Sequence, residues 1–363
     1  MKLGVEAALV DGRLVRGDVE VRGGRISAIG SASANGKGIA VPGFVDLQVN
    51  GFAGVDLLDA DVEGYRRAGE ALLETGVTAY LATFITAPED RLLAALRGVP
   101  SGPDGPRVLG VHLEGPFLSP RRLGIHAAAA RRDPDVELLE RLLDAGPVRL
   151  VTLAPELPGA EALVRRLLLG EIAVSCGHSD ATAEEAEAAF DLGVRTVTHL
   201  FNAMRPFRHR DPGIAGGALA RDDVIVQVIL DGVHLAPETA NVVWRSAAGR
   251  VALVTDAMAG AGLGDGAYLL GGLDIEIEDG VARGPDGELA GSTLTMLDAV
   301  RNLHALGASF EEAVGAATDV PARVLRNPTV GRLAVGLPAD IVVLSEELEL
   351  ERVLVEGTDR VAL

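Results

Sequence analysis

The sequence predicts an α/β fold, in which a (β/α)8 barrel of the TIM type carries a small β-sandwich domain built from both chain ends. From Val41 to about Leu325, short apolar runs alternate with helical patterns, and this alternation indicates a parallel sheet covered by helices. Eight strand–helix units fit this length, which favours a barrel over a doubly wound sheet. The two ends of the chain lack helical patterns and are typical of short strands.

The predicted barrel strands are short apolar runs, each bounded by turn or helix signals. They are Val41–Val49, Thr78–Phe84, Val108–Leu113, Arg149–Ala154, Ile172–Gly177, Thr196–Leu200, Val224–Leu230 and Ala252–Thr255. Helices are predicted between most of them, for example at Pro88–Leu96, Val136–Leu143 and Ala183–Leu192. A glycine-rich stretch from Ala267 to Ala290 interrupts the alternation, and it predicts an inserted β-hairpin.

Both ends of the chain are predicted to form one small domain. Asp11-Gly12 is a hairpin signal between apolar runs near the N-terminus, and strand patterns return from Gly331 to Leu344. Because the barrel lies between these ends, the simplest arrangement pairs them with each other. We therefore expect the β-sandwich domain at residues 1–40 and 331–363, and the barrel at residues 41–330.

The composition argues against several classes of partner. The net charge of −19 opposes binding to nucleic acid and to anionic membranes, since both are polyanions; a small anionic substrate stays compatible with it. The single cysteine, Cys176, cannot form an internal disulfide. The N-terminus lacks a signal-peptide pattern, and no apolar stretch is long enough to span a bilayer. We therefore expect a cytoplasmic protein with neither nucleic acid nor membrane as a partner.

Polar side chains capable of chemistry recur where the predicted strands end. In a barrel the active groups lie at the carboxyl ends of the strands. A single histidine or aspartate there is commonly a structural residue or a helix cap, but several such ends must converge on one place. The residues are Gln48 and Asn50 after strand one, His112 and Glu114 after strand three, His178 after strand five, His199 and Asn202 after strand six, Asp231 and His234 after strand seven, and Asp256 after strand eight.

Glu114, His178 and His199 form the candidate metal site. Two histidines and one carboxylate can hold a catalytic metal and leave a position open for water. A further carboxylate must take a proton from that water and return it to the leaving group. Asp256 is the candidate for this role because it is not needed as a ligand. The alternative for Asp256 is a role as a second metal ligand.

A basic segment follows strand six in this acidic chain. It contains Arg205, Arg208, His209 and Arg210 on a proline-bounded loop. Such a cluster is commonly a solvated surface loop, but arginine side chains also bind phosphate in a forked geometry. Because the loop follows a barrel strand at the predicted active face, we favour an anion site beside the metal.

Taken together, these motifs resemble those of the N-acetylglucosamine-6-phosphate deacetylases of the amidohydrolase superfamily. The similar stretches follow the family's order between residues 41 and 296, and they are PGFVDLQVNG, HLEGPFL, GHSDAT, THLFNAM, RDPG, DGVH, VTDAMAGAG and LAGSTLTM. The terminal stretches PARVL and GRLAVGLPADIVVL are also similar, so the resemblance covers nearly the whole chain. The combination of HLEGP, GHSDAT and THLFNAM is specific, whereas each motif alone is not.

The resemblance implies a role for each candidate residue. It assigns a metal to Glu114, His178 and His199, and it makes Asp256 the general base and later the general acid. The remaining assignments concern the substrate. At its sugar end, His126 contacts the sugar and helps polarise the acetyl carbonyl, and Leu294 and Met296 line the sugar pocket. At its phosphate end lie Asn202 and Ala203, and Arg210 and His234 contact the phosphate across the interface of a homodimer.

Gln48 and Asn50 mark a departure from the wider superfamily. Many of its members carry His-x-His at these positions and bind two metals, whereas an amide is a poor zinc ligand beside imidazole. The resemblance therefore implies one divalent metal ion, with Gln48 and Asn50 near the substrate. We expect zinc, and iron, cobalt and manganese stay open because this donor set suits several ions.

The implied reaction is hydrolysis of the N-acetyl group of N-acetyl-D-glucosamine 6-phosphate to glucosamine 6-phosphate and acetate, a step of amino-sugar catabolism. One alternative is deacetylation of the galactosamine epimer or another amidohydrolase reaction, such as hydrolysis of a cyclic amide. A non-catalytic barrel that binds a sugar phosphate is the alternative from a different class. The carboxylate of Asp256 favours an enzyme, since a binding protein has no use for a base there.

Overall fold

The computed structural model describes residues 1–32, 36–102 and 105–362. It confirms the predicted (β/α)8 barrel and the additional β-structure from both chain ends. The predicted domain ranges include residues outside the described part, and the division at residues 40 and 331 stays a prediction. The first strands along the chain are β1 (Ala7–Val10), β2 (Arg13–Arg16), β3 (Asp18–Arg22), β4 (Arg25–Ser31) and β5 (Ile39–Pro42).

Eight parallel strands form the barrel, and each pairs with its neighbours in chain order. The barrel strands are β6 and β9 to β15, and β7 and β8 form a separate short pair. Their bounds are β6 (Phe44–Val49), β7 (Gly51–Phe52), β8 (Val55–Asp56), β9 (Val77–Ile85), β10 (Arg107–Glu114), β11 (Val148–Leu153), β12 (Ala173–Cys176), β13 (Thr196–Val197), β14 (Ile225–Val228) and β15 (Val251–Leu253).

Helices alternate with these strands, and their buried faces join the strands in one hydrophobic core. Polar side chains begin several helices: Asp61 accepts a hydrogen bond from the N–H of Gly64, and Thr182 and Glu185 form a capping box. Among the described helices, none combines the length and the apolar character that crossing a bilayer requires. The helices are α1 (Val62–Leu73), α2 (Glu89–Gly98), α3 (Val136–Ala145), α4 (Ala160–Leu169), α5 (Ala183–Leu192), α6 (Gly213–Leu219), α7 (Pro237–Ser246), α8 (Met296–Ala305), α9 (Phe310–Ala316) and α10 (Asp319–Val324).

The barrel closes between β6 and the segment that follows β15. Val49 and Ala257 form a parallel bridge, and the backbone N–H of Asn50 donates to the Ala257 carbonyl at 2.8 Å. The buried carboxylate of Asp46 in β6 accepts a hydrogen bond from Thr255 Oγ1 at 2.6 Å. Because these bonds join the first barrel strand to the last, they hold the residues that follow both strands at one end of the barrel.

The predicted first barrel strand, Val41–Val49, was too long, because the chain leaves one sheet and enters the other at Gly43. β5 ends at Pro42 in the terminal sheet, and β6 begins after Gly43 in the barrel. The N–H of Gly43 donates to the Asp340 carbonyl at 3.0 Å, and a Cβ at position 43 would lie 2.0 Å from Thr78 Oγ1. A side chain at position 43 would therefore prevent this close approach.

The hairpin predicted at Ala267–Ala290 is a three-stranded antiparallel sheet, so the prediction was one strand short. Its third strand spans only a few residues and has little sequence signal. Ile275 and Ile277 of the inserted sheet pack with Ile85, which ends β9, and with Met258, which follows β15. The sheet therefore lies against the active end of the barrel. Its strands are β16 (Gly266–Leu270), β17 (Leu273–Glu278) and β18 (Val281–Arg283).

The terminal sheet is completed by β19 (Ile341–Leu344), β20 (Leu350–Val355) and β21 (Thr358–Ala362). Its strand order is β2-β1-β5-β19-β20-β21, and β3 pairs with β4 separately. Side chains of β19 alternate between two cores: Val342 and Leu344 join the barrel core, whereas Ile341 and Val343 pack with Val19 of β3. The terminal sheet is therefore buried on both faces at β19, whereas its edge strand β2 is exposed.

We expect the substitution Asp46→Asn to make the stability of the protein less dependent on pH. Burial raises the pKa of Asp46 to about 7 from an ordinary 3.8, although hydrogen bonds from Thr255 and Gln48 partly oppose the rise. The folded state therefore binds a proton at Asp46 more tightly than the unfolded chain does, and this contribution to stability is present below the unfolded pKa and lost as the pH rises through 7.

Urea unfolding of both proteins between about pH 5 and about pH 8 measures this effect. The free energy of unfolding of the wild type, relative to that of Asp46→Asn, should fall by roughly 2 kcal/mol across this interval. A difference between the two proteins that stays constant with pH would contradict the assignment.

Candidate metal centre and active site

The three predicted metal ligands converge at the carboxyl ends of their strands. Glu114 is the last residue of β10, His178 follows β12, and His199 follows β13. Glu114 Oε1 lies 2.9 Å from His199 Nε2 and 3.1 Å from His178 Nε2, and the two Nε2 atoms lie 3.1 Å apart. All three side chains are buried. This cluster could hold a metal ion.

The tautomer of His178 fits such an ion. His178 Nδ1 lies 2.9 Å from the carbonyl oxygen of Arg122, which can only accept, so Nδ1 carries the ring hydrogen. The lone pair of the neutral ring is then on Nε2, the atom that faces Glu114 and His199. A buried carboxylate oxygen and two imidazole nitrogens are a donor set that suits zinc and several other divalent ions.

The chain turns sharply at several of these strand ends. His178, His199 and Asp256 have φ values of 47°, 26° and 51°, in the left-handed region that residues with a side chain seldom adopt. Each such residue costs about 1–3 kcal/mol. The surrounding barrel therefore stabilises a strained backbone at the positions that carry the chemistry.

The buried Glu114 carboxylate is stabilised by its neighbours. Burial alone would raise its pKa, but interactions with the nearby His126 and hydrogen bonds with His178 and His199 outweigh burial and hold the pKa of Glu114 well below its usual range. Gln48 adds a further donor, since its Nε2 lies 3.1 Å from Glu114 Oε1. Glu114 is therefore an anion at neutral pH and is available as a ligand.

His126 presents a hydrogen-bond donor to the cavity. Its Nδ1 accepts the backbone N–H of Thr86 at 3.2 Å, so the hydrogen of the neutral ring lies on Nε2. Burial, together with the nearby His178, lowers the pKa of His126 to about 4 and keeps the ring neutral. The Nε2 atom lies 3.7 Å from Glu114 Oε2. An N–H group in this place can donate to the oxygen of a substrate carbonyl.

Asp256 follows β15, the last barrel strand, and lines the same cavity as the three ligands. Asn50 Nδ2 donates to Asp256 Oδ1 at 2.7 Å, and the backbone carbonyl of Asp256 accepts the N–H of Ser292 at 2.8 Å. Burial and the charge of Glu114 raise the pKa of Asp256 to about 6. A carboxyl group with such a pKa can both accept and return a proton near neutral pH.

These side chains line one cavity of about 260 Å³. The sequence-predicted residues in its wall come from six different strand ends or the loops after them. They are Asn50, Glu114, His126, His178, His199, Asn202, Ala203, His234 and Asp256. His234 is fixed within the wall by its Nδ1, which lies 2.6 Å from Asp231 Oδ2.

Four predicted site residues lie outside the cavity wall. Gln48 is fully buried behind Glu114, and Arg210 is exposed on its loop. Leu294 and Met296, predicted to line the sugar pocket, belong to the buried core of the barrel. Their role in the sugar pocket stays a prediction.

Sequence reasoning missed the apolar side of the cavity and one acidic residue. Leu289 and Gly291 line the wall at the start of the LAGSTLTM motif, a few residues before the predicted pair, so the motif did carry a signal. Two of the other missed residues come from the inserted sheet and the segment after it, the rest come from barrel strand ends and the loops after them, and nothing in the sequence pointed to them. They are Ile85, Gly124, Ile125, Ile229, Leu270 and Glu288.

Known proteins resemble the chain over most of its length. The sequence pattern of the amidohydrolase family matches residues 39–358. The N-acetylglucosamine-6-phosphate deacetylase of Lysinibacillus sphaericus is 36% identical over an alignment 366 residues long. The alignment covers 96% of this chain and 95% of the relative. The N-acetylgalactosamine-6-phosphate deacetylase of Escherichia coli O157:H7 is 35% identical over 324 residues, which cover 87% of this chain and 86% of the relative.

A solved structure is similar over the same extent. It is a mutant N-acetyl-D-glucosamine-6-phosphate deacetylase from Mycobacterium smegmatis, in complex with N-acetyl-D-glucosamine-6-phosphate. The two folds agree with a TM-score of 0.93 and 37% sequence identity, and the match covers 100% of this chain and 99% of the other. The similarity therefore includes both the barrel and the terminal sheet.

We expect Glu114→Ala to lower the metal content of the purified protein from about one ion per chain to nearly none. The carboxylate is the anionic ligand of the cluster, and the two imidazoles that remain are neutral. Elemental analysis after dialysis measures the content. The control is Glu238→Ala, which removes an exposed glutamate from the first turn of α7. If Glu114→Ala kept the metal content of the wild type, this ligand set would be wrong.

Proposed function

The chain belongs to the amidohydrolase family, and from this premise we propose that it hydrolyses the N-acetyl group of N-acetyl-D-glucosamine 6-phosphate to glucosamine 6-phosphate and acetate. The main support for the proposal is that two carboxylates in different surroundings, Glu114 and Asp256, line one cavity. Glu114 Oε1 lies within 3.1 Å of two imidazole nitrogens, whereas the Asp256 carboxylate lines the same cavity and accepts a hydrogen bond only from Asn50 among described side chains. One carboxylate is thus a ligand, and the other is free to move a proton.

We propose that Glu114, His178 and His199 hold one divalent cation, zinc in the first instance, with iron, cobalt and manganese as alternatives. Such a cation, when bound, lowers the pKa of a water molecule and polarises a carbonyl group. Gln48 and Asn50 support a single ion, because both amides donate to the site carboxylates at 3.1 and 2.7 Å. They therefore stabilise Glu114 and Asp256 rather than offering ligands to a second ion.

The residues of the chain account for the proton transfers of amide hydrolysis. Asp256 accepts a proton from the attacking water as the new C–O bond forms, and it gives that proton to the nitrogen as the C–N bond breaks. The His126 Nε2–H donates to the acetyl oxygen, on which negative charge develops. The second proton of the water, left on the acetyl carboxyl group, passes to the amine, so that acetate and the ammonium form of the sugar leave with atoms and charge balanced.

The phosphate end of the substrate is proposed to lie toward Asn202, Ala203 and His234. These residues form the part of the cavity wall built by the loops after β13 and β14. His234 offers an imidazole that Asp231 orients. This imidazole and the amide of Asn202 are the groups at this end that can donate to an anion.

Arg210 is proposed to reach the phosphate from a second copy of the chain, in a homodimer with Arg210 and His234 near the interface. Arg210 is exposed and lies outside the cavity wall of its own chain. Two apolar side chains on the same loops are exposed as well, Phe207 at 51% and Val233 at 42%. Exposed apolar groups beside the site support an interface there. The cytoplasmic location stays a prediction.

The galactosamine epimer is the second candidate substrate, since a relative that carries its name is nearly as similar to this chain. Acetate release from the two epimeric 6-phosphates and from unphosphorylated N-acetylglucosamine, measured with zinc-loaded protein, tests the proposal. We expect the gluco 6-phosphate to be hydrolysed with the highest kcat/KM. Absence of acetate from all three sugars would contradict the proposed function and leave the non-catalytic sugar-phosphate barrel.

We expect Asp256→Asn to lower kcat by at least about 10³-fold and to leave substrate binding largely unchanged. The amide keeps the size of the side chain but cannot accept the proton of water. Single-turnover kinetics and calorimetric binding of the substrate separate the two effects. The control is Asp222→Asn, at an exposed position before β14. Near-normal turnover in Asp256→Asn would refute the role as base.

We expect Arg210→Ala to raise the KM for the phosphorylated sugar by about 10- to 100-fold, which corresponds to the loss of one charged hydrogen bond. The KM for the unphosphorylated sugar should not change, since it lacks the anion. Arg208→Ala, two residues earlier on the same loop, is the matched control. Equal KM values for Arg210→Ala and the wild type would remove Arg210 from the site.

A further inference from the structure

Asp180 gathers three arginines beside the site, although it takes no part in the proposed chemistry. It lies two residues after His178, and its side chain is only 10% exposed. Its carboxylate lies 2.6 Å from Arg122 Nη2, 3.2 Å from Arg121 Nη1 and 3.6 Å from Arg205 Nη1. A largely buried carboxylate that pairs with three arginines fixes the chain segments that carry those arginines.

One of these arginines holds the proposed metal ligand. The carbonyl oxygen of Arg122 accepts the Nδ1–H of His178 at 2.9 Å, and the Arg122 side chain is bound to Asp180 through Nε at 2.8 Å and through Nη2. A backbone hydrogen bond joins the same two segments, since the N–H of Ser119 donates to the His178 carbonyl at 2.9 Å. Asp180 therefore holds the residue whose carbonyl selects the tautomer of His178.

A second arginine holds the basic loop at residues 205–211, which we call the anion loop. Arg205 Nε lies 2.8 Å from Asp211 Oδ1, so this pair ties the two ends of the loop that carries Arg210. Arg205 Nη1 also donates to the Asp180 carbonyl at 3.3 Å. The backbone N–H of Arg205 donates to the Ser179 carbonyl at 2.9 Å. The anion loop is thus attached to the segment that follows His178.

We propose that Asp180 is a positioning residue with two tasks: through Arg122 it holds the tautomer of His178 in the site of its own chain, and through Arg205 it holds the anion loop, which in the proposed homodimer serves the site of the second copy. The proposal rests on the proposed function, because it takes His178 as a cation ligand and Arg210 as a phosphate contact. Asp180 touches neither the cation nor the substrate. Its effect is exerted through the arginines alone.

We call the Asp180 carboxylate with Arg122 and Arg205 the clamp. It can be removed by substitution without loss of the backbone segment that carries Asp180. Glu156, which follows β11, accepts the backbone N–H of Asp180 at 2.8 Å and the Ser179 hydroxyl at 2.6 Å. These bonds do not involve the Asp180 carboxylate. The substitution Asp180→Asn therefore removes the charge that gathers the arginines and keeps the backbone of residues 179 and 180 fixed by Glu156.

The experiment measures zinc affinity and steady-state kinetics separately. Zinc affinity is obtained in the absence of substrate by competition with a chelator. In Asp180→Asn we expect the Kd for Zn²⁺ to rise by about 10- to 100-fold, the usual effect of losing support for a metal ligand. With saturating zinc, the KM for the sugar 6-phosphate should rise by about tenfold, and the KM for the unphosphorylated sugar should stay constant.

Two further variants separate the arms of the clamp. Arg122→Gln should weaken zinc binding and leave the ratio of the two KM values unchanged. Arg205→Gln should raise the KM for the phosphorylated sugar and leave zinc affinity unchanged. The matched control is Asp223→Asn, since Asp223 also pairs with two arginines, Arg195 and Arg221, outside the cavity wall. It should match the wild type in both measurements.

Zinc affinity of Asp180→Asn within about twofold of the wild type would overturn the proposal, and so would an equal loss in Asp223→Asn. Thermal unfolding with and without zinc verifies that each variant is folded, and Asp180→Glu should restore part of the zinc affinity. The zinc measurement does not use catalysis. If the wild type released no acetate, the proposed function would fail, whereas weakened zinc binding in Asp180→Asn would still support the Arg122 arm.

Discussion

The buried carboxylate of Glu114 is the constraint on which the rest of the site depends. A carboxylate that is only 3% exposed must be compensated by donors or by a cation. Here Gln48, His178 and His199 each place a nitrogen within 3.1 Å of one of its oxygens. These partners come from β6 and from the ends of β12 and β13, so one buried charge determines how four strand ends must meet.

The need to bring donors to the Glu114 carboxylate also accounts for the left-handed backbone at the strand ends that supply them. Left-handed φ values at His178 and His199 direct the imidazoles inward directly after their strands. The closure of the barrel between Asp46 and Thr255 then brings Asp256 to the same end, where Asn50 orients it. The first and last barrel strands therefore supply the pair to which we assign the proposed proton transfers.

Much of this arrangement could be predicted from the sequence, because strand periodicity identifies the strand ends and barrel topology brings those ends together. Glu114, His178, His199 and Asp256 were found in this way. The transition at Gly43 was not, since it depends on contact with Thr78. Supporting groups such as the Arg122 carbonyl leave no sequence signal, because any residue supplies a carbonyl.

The central claim is that one cation held by the Glu114 cluster supports deacetylation of a sugar phosphate. Titration of chelator-treated protein with Zn²⁺, with acetate release from N-acetyl-D-glucosamine 6-phosphate as the readout, tests it most directly. The rate should rise in proportion to added zinc and reach its plateau at about one equivalent per chain. A plateau at about two equivalents, or acetate release that does not depend on the metal, would contradict this account.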